Sequence, residues 1–159
     1  MIIRSAREQD MPRLLEIYEI ARSTMRASGN LHQWNNGYPS EEVLREDITL
    51  GRLYVMEQDG QAEAAFVFFV GVEPTYARIE GAWLTDRPYG VIHRVASSGA
   101  IRGVVPTMVA WCRERAEELR IDTHADNTIM QRQVERSGFA RCGIIYLENG
   151  DPRIAYQLC

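Results

Sequence analysis

The segment from Tyr89 to Ala116 changes from a strand-like to a helix-like pattern across one short turn that contains Gly99 and Gly103. A run rich in β-branched residues leads into this turn, which predicts a strand that ends there. Pro106 is predicted as the first helical residue, because its φ is already set and no N–H is lost. The backbone N–H groups of residues 102–105 are then expected to converge at the positive end of a helix dipole. The segment therefore predicts an α/β fold with an anion-binding turn.

The length and composition are those of one globular domain. The chain has 159 residues, of which 45% are hydrophobic and 25% are charged, so residues 1–159 are expected to form a single domain with its own core. No stretch of apolar residues is long enough to predict a membrane span. The N-terminal sequence MIIRSAREQDM carries charges where a signal peptide needs an apolar core, which favours a cytoplasmic protein.

The charge balance and the cysteines exclude several classes of function. Lys and Arg number 18 and Asp and Glu number 22, so the net charge of −4 argues against nucleic acid or an anionic membrane as a partner. Cys112, Cys142 and Cys159 are far apart, with no C-x-x-C pair, and are interpreted as reduced thiols. His93, His124 and Asp126 do not have the spacing of metal ligands, so no metal is expected.

The remaining patterns predict strands that alternate with helices. Asp59-Gly60 and Asn149-Gly150 are hairpin signals. The order of strands and helices along the chain predicts a mixed sheet with helices on both sides. Helices are predicted from Pro12 to about residue 25 and at about 40–50, 106–119 and 128–135. Strands are predicted at 2–3, 52–58, 62–72, 79–84, 91–97, 121–124, 141–147 and 153–158.

This order of elements, with the glycine turn, Asn127 and the pair Gly138-Phe139, resembles the GNAT superfamily of N-acetyltransferases over essentially the whole chain. The segments IHRVASSG, DTHADN and GDPR are similar to one bacterial subgroup of it. The resemblance implies the acyl-CoA N-acyltransferase fold. That fold is an α/β architecture with a mostly antiparallel mixed sheet of six to seven strands, helices on both faces and a splayed central strand pair.

The phosphate loop of the family has Gln or Arg, two variable residues, Gly, one variable residue, and then Gly or Ala. The aligned residues 100–105 keep only Gly103, while Val105 is bulky and Pro106 lacks a donor. The resemblance implies that acetyl-CoA binds there and that its arm pairs with the middle strand. Two alternatives stay open: a non-catalytic CoA-binding or ligand-sensing module, and an interaction domain that binds no CoA. The implied cofactor-binding residues are Val95, Ala96, Ser97, Arg102, Gly103, Val104, Val105, Thr107 and Asn127.

The resemblance also implies the chemistry. An acetyl group passes from acetyl-CoA to a primary amine of a small molecule or peptide in a ternary complex. His93 lies where some family members carry a base, and period-two alternation places it on the same face as Val95. The alternative is a histidine whose hydrogen bonds are satisfied within the sheet. The N–H of Val95 is the expected donor to the thioester carbonyl.

The proton donor and the acceptor pocket are less well defined by the sequence. Val134 stands where the family often has a tyrosine acid, so Tyr146 or water is expected to protonate the thiolate, unless Tyr146 is only a packed strand residue. The loop of residues 28–40 contains two aromatic rings. These rings are expected either to line the acceptor pocket or to fold back and seal the core. A homodimer is kept as an alternative to a monomer. The candidate substrate-binding residues are Gln33, Trp34, Tyr38, Glu80 and Arg153.

Overall fold

The computed structural model describes all residues, 1–159, and divides them into two compact units. Unit 1 comprises Met1–Phe68 and His93–Val104, and unit 2 comprises Phe69–Ile92 and Val105–Cys159. The expectation of a single domain stays a prediction. None of the helices has both the length and the apolar character that a membrane span requires.

The chain has four helices and a mixed α/β fold, as predicted. The helix after the glycine turn starts two residues earlier than predicted and ends well before 119. Pro106 is therefore its third residue, which is tolerated because N–H groups of the first turn have no intrahelical acceptor. The helices are α1 (Met11–Ala27), α2 (Glu41–Thr49), α3 (Val104–Arg113) and α4 (Thr128–Arg136), and short 3₁₀ helices span Glu8–Asp10 and Pro74–Tyr76.

The chain forms eight β-strands, so the six to seven strands implied by the resemblance were wrong. The eight strands predicted from the sequence pattern are all found, although the strands at the two edges are only four and two residues long. The strands are β1 (Ile2–Ser5), β2 (Leu53–Gln58), β3 (Gln61–Val70), β4 (Glu80–Gly81), β5 (Gly90–Ser97), β6 (Leu119–Thr123), β7 (Ala140–Tyr146) and β8 (Pro152–Leu158).

In unit 1 the strands follow the order β1, β2, β3, β5. β1 and β2 are antiparallel, with Ile2 opposite Glu57, and β2 and β3 form an antiparallel hairpin through Asp59 and Gly60. Both turn residues have positive φ, as a tight two-residue hairpin requires. Helix α1 buries one face, because its apolar residues recur every three or four positions. These buried residues are Met11, Leu14, Ile17, Tyr18 and Ala21.

In unit 2 the first residues of β5 pair in parallel with β6, with Gly90 opposite Leu119. Strands β8, β7 and β4 then follow in antiparallel order. The β4–β7 pair is unusually close, because a Cβ atom on Gly143 would lie 2.0 Å from the Glu80 carbonyl oxygen. One hydrophobic core cluster of this unit consists of Tyr76, Val91, Ile145 and Ala155, with Phe69, Ile79, Trp83, Tyr89 and Leu147 packed against it.

Candidate active site

Strand β5 contains a backbone irregularity at Arg94, the residue between the two predicted functional positions His93 and Val95. Arg94 has φ of +49°, in the left-handed region that bulky residues avoid. Such a residue interrupts the regular pleat of a strand, as in a β-bulge. The regular alternation from which a shared face for His93 and Val95 was predicted is interrupted at this residue, and the shared face stays a prediction. His93 is half-buried at this irregularity.

Side chains from three other segments of unit 1 hold Arg94 in this conformation. The hydroxyl of Tyr18 on α1 donates a hydrogen bond of 2.6 Å to the Arg94 carbonyl oxygen. The guanidinium donates two parallel bonds of 2.8 Å to the carboxylate of Asp47 on α2. Its third nitrogen donates a bond of 2.9 Å to the Tyr38 hydroxyl. Both the main chain and the side chain of Arg94 are thus fixed.

Tyr18, Asp47 and Arg94 were not predicted from the sequence as site residues. Tyr18 is 0% and Asp47 only 5% exposed, so each polar group needs a partner within the protein. One signal was present: Asp47 lies three residues after the buried Leu44, and therefore on the buried face of α2. A carboxylate at such a position indicates a buried cation nearby.

The predicted acceptor loop contacts the same group of residues. The Trp34 ring lies 5.6 Å from the Tyr18 ring, centroid to centroid, and Tyr38 accepts the bond from Arg94. Gln33 accepts a hydrogen bond of 2.9 Å from the Asn30 side chain. Tyr38 is nevertheless 39% exposed, so its ring has a surface for a ligand as well as a packing role. The structure thus brings Trp34 into contact with Tyr18 and Tyr38 into contact with Arg94.

The start of the glycine turn is anchored to β3. The Ser98 N–H donates to the Glu63 carbonyl oxygen at 2.9 Å, and the Ser98 hydroxyl donates to the Glu63 carboxylate at 3.0 Å. Arg13 on α1 donates to the same carboxylate at 2.7 Å. Burial opposes ionisation of Glu63, but the hydrogen bonds from Ser98, Arg13 and Gln61 together outweigh it and lower the pKa of Glu63. The turn therefore starts from a fixed point.

The glycine turn has left-handed backbone at two positions and open space beside Gly99. Gly99 and Gly103 have φ of +86° and +71°, and a Cβ atom on Gly99 would meet no heavy atom within 4 Å. The Gly99 N–H donates to the Ser97 hydroxyl at 3.1 Å, which orders the turn locally. Arg102 is exposed, whereas Val105 is only 3% exposed, so its side chain is turned inward.

The other predicted cofactor residues have more ordinary surroundings. Ala96 is buried in β5, between the half-buried Val95 and Ser97, and Val104 is the first residue of α3. Thr107, in unit 2, is half-buried on α3. Asn127, also in unit 2, caps α4, since its side-chain oxygen accepts a bond of 3.1 Å from the Met130 N–H.

Tyr146 and Glu80 lie together in unit 2. The Tyr146 hydroxyl is hydrogen-bonded to the Glu80 carboxylate, which raises the pKa of Tyr146. Tyr146 lies on β7 and is 42% exposed. Arg153 is buried in β8, and its guanidinium donates to the Pro152 carbonyl oxygen at 2.8 Å. Val134 is buried and carries no proton to donate.

No group of three or more His, Cys, Asp or Glu side chains is arranged to hold a metal ion. The three cysteines are free thiols. Burial raises the pKa of Cys112 to about 12, so this thiol is neutral and unreactive at physiological pH.

The chain is similar to solved acetyltransferase structures along nearly its whole length. A GNAT-family acetyltransferase from Streptococcus agalactiae is 32% identical with a TM-score of 0.89, and the alignment covers 98% of this chain and 93% of that one. A GNAT-family acetyltransferase from Listeria monocytogenes is 20% identical, with a TM-score of 0.69 and coverage of 99% and 93%. The ribosomal-protein-alanine N-acetyltransferase of Brucella melitensis is 21% identical, with a TM-score of 0.61 and coverage of 99% and 99%.

The last two similarities establish a shared fold. No family model matches the chain, and no curated protein sequence matches it. An identity of 32% to the streptococcal protein, across nearly all of both chains, shows that this chain belongs to the GNAT family of acetyltransferases.

Proposed function

We propose that the protein transfers an acetyl group from acetyl-CoA to the nitrogen of a primary amine on a small molecule or peptide. The observation that carries this proposal is the fixed left-handed residue Arg94 within β5, followed directly by Val95–Ser97 and the anchored glycine turn. Within a GNAT acetyltransferase, these are the segments expected to hold the thioester and the diphosphate. The acceptor class follows from the resemblance alone.

Acetyl-CoA supplies the activated thioester, and the chain supplies its orientation. The main-chain groups of Val95, Ala96 and Ser97 are the proposed edge for the pantetheine arm. The exposed Arg102 and the main chain at Gly103–Val105 are the proposed diphosphate site. The Val95 N–H is the proposed donor to the thioester carbonyl, where negative charge develops during attack.

In the proposed reaction the amine loses a proton, and its lone pair attacks the thioester carbonyl carbon. The C–N bond forms and the C–S bond breaks, so the acetyl group moves to nitrogen and the thiolate leaves. His93, directly or through water, is the proposed acceptor of the amine proton. Because the bond to Glu80 raises the pKa of Tyr146, we assign protonation of the thiolate to water ahead of Tyr146.

Replacement of His93 tests the base. We expect His93→Gln to lower kcat by about 10²-fold or more, because the glutamine side chain cannot accept the proton of the amine. The measurement is steady-state kcat, with Tyr146→Phe as the control, for which we expect less than about a tenfold decrease. An unchanged kcat in His93→Gln would identify His93 as a structural residue.

Binding of CoA and release of its thiol test the activity itself. We expect CoA and acetyl-CoA to raise the Tm of the protein, and free thiol to form only when a suitable amine is added. The amine panel includes polyamines, amino-acid amides and a peptide with N-terminal alanine. Absence of any Tm shift at millimolar CoA would exclude the enzyme.

Gly103→Glu tests whether CoA binds at the glycine turn, and Gly150→Glu is its control. Gly103 and Gly150 are both exposed and both have positive φ, +71° and +88°, so Glu at either position brings similar strain and the same charge. We expect Gly103→Glu to weaken the binding of CoA at least tenfold through repulsion of the diphosphate, and Gly150→Glu to leave CoA binding unchanged.

Tight binding of CoA by the wild-type protein, without thiol release for any amine, would favour the ligand-sensing module.

A further inference from the structure

The conformation of Arg94 is costly and yet held by several independent bonds. A bulky residue at φ of +49° is strained relative to the extended region, and such a conformation persists only when the surroundings determine it. Here two helices and one loop supply those surroundings, through Tyr18, Asp47 and Tyr38. Because three separate segments bond to this one residue, the orientation of the peptide unit between Arg94 and Val95 is closely determined.

The peptide bond explains what the orientation controls. The Arg94 carbonyl and the Val95 N–H belong to one planar trans peptide unit, so they point in opposite directions. The Tyr18 hydroxyl holds the Arg94 carbonyl oxygen at 2.6 Å. The Val95 N–H is therefore directed away from Tyr18. Rotation of this peptide unit would redirect the Val95 N–H and, at the same time, break the hydrogen bond from the Tyr18 hydroxyl to the Arg94 carbonyl oxygen.

We propose that Tyr18, Asp47 and Arg94 are positioning residues that aim the Val95 N–H at the thioester carbonyl of acetyl-CoA. Tyr18 fixes the carbonyl end of the peptide unit, and Asp47 fixes the Arg94 side chain. Burial raises the pKa of Tyr18, so its hydroxyl stays protonated and continues to donate across the physiological pH range. The inference rests on the proposed function, because it assumes that acetyl-CoA is bound.

Acetyl-CoA and CoA together provide a test that needs no acceptor amine. Only acetyl-CoA has the carbonyl oxygen that the Val95 N–H is proposed to meet. We expect Tyr18→Phe to weaken acetyl-CoA about three- to tenfold while CoA changes less than twofold, measured as Kd by calorimetry. Once an acceptor is known, kcat should also decrease about tenfold or more with little change in its KM.

Tyr76→Phe is the matched control. Tyr76 is also fully buried, and its hydroxyl donates a bond of 2.6 Å to Asp122 in unit 2. The two variants lose the same atom and a similar buried bond, but only Tyr18 contacts the Arg94 carbonyl. We expect Tyr76→Phe to lower the Tm without changing the ratio of the two Kd values.

A second variant covers the case in which Tyr18→Phe does not fold. Arg94→Lys keeps the charge but loses the two parallel bonds to Asp47, and should change the Kd ratio in the same direction. Equal weakening of both ligands, or no change in either, would overturn the inference while leaving the proposed function in place. If the wild-type protein binds neither ligand, the proposed function fails, and the inference with it.

Discussion

Gly143→Ala is expected to lower the free energy of unfolding by about 3 kcal/mol, at the upper end of the usual cost of overpacking. The added Cβ atom would lie 2.0 Å from the Glu80 carbonyl oxygen and 3.1 Å from the Gly81 Cα atom. Both are backbone atoms of β4, so relief requires the two strands to separate. Gly143 also has φ of +154°, which an L side chain rarely adopts. Urea unfolding followed by circular dichroism measures the change.

Gly150→Ala separates the clash from the backbone strain. Gly150 also has positive φ, +88°, but a Cβ atom there would meet nothing within 4 Å. We therefore expect a loss of only about 1 kcal/mol, the cost of the left-handed conformation alone. Equal losses for the two variants would show that the β4–β7 contact is not close in solution.

The second large effect is expected for Asp47→Ala. This substitution leaves the Arg94 guanidinium, which is mostly buried, without its carboxylate partner, and such a change costs about 3–5 kcal/mol. The same unfolding measurement applies. We also expect the variant to lose discrimination between acetyl-CoA and CoA, because Arg94 is then no longer held.

Glu46→Ala is the control on the same helix. Glu46 is exposed and adjacent to Asp47, so the variant removes one carboxylate and shortens one side chain without exposing a buried charge. We expect a change of less than about 0.5 kcal/mol. A similarly small change for Asp47→Ala would mean that the pair with Arg94 contributes little to folding.

The elements that the sequence predicted well are those with strong local periodicity. The helix near 40–50 is found at Glu41–Thr49, where the Ser40 side chain accepts the predicted capping bond from the Val43 N–H. The hairpin at Asp59-Gly60 is also found, because its turn chemistry is contained in two residues. The predicted start of α3 was wrong because proline is tolerated at more than one position of a first helical turn. Pro106 was predicted as the first residue of the helix, but it is the third.

The sequence also identified the family, since the glycine turn, Asn127 and Gly138-Phe139 lie at spacings that can be read along the chain. It did not predict the group of residues around Arg94. Tyr18 and Asp47 are 76 and 47 positions away from Arg94, and nothing in local periodicity joins them. Only the folded chain brings the hydroxyl, the carboxylate and the guanidinium together. A left-handed residue inside a strand is stable only with such distant partners, so the tertiary structure alone decided which way the Val95 N–H points.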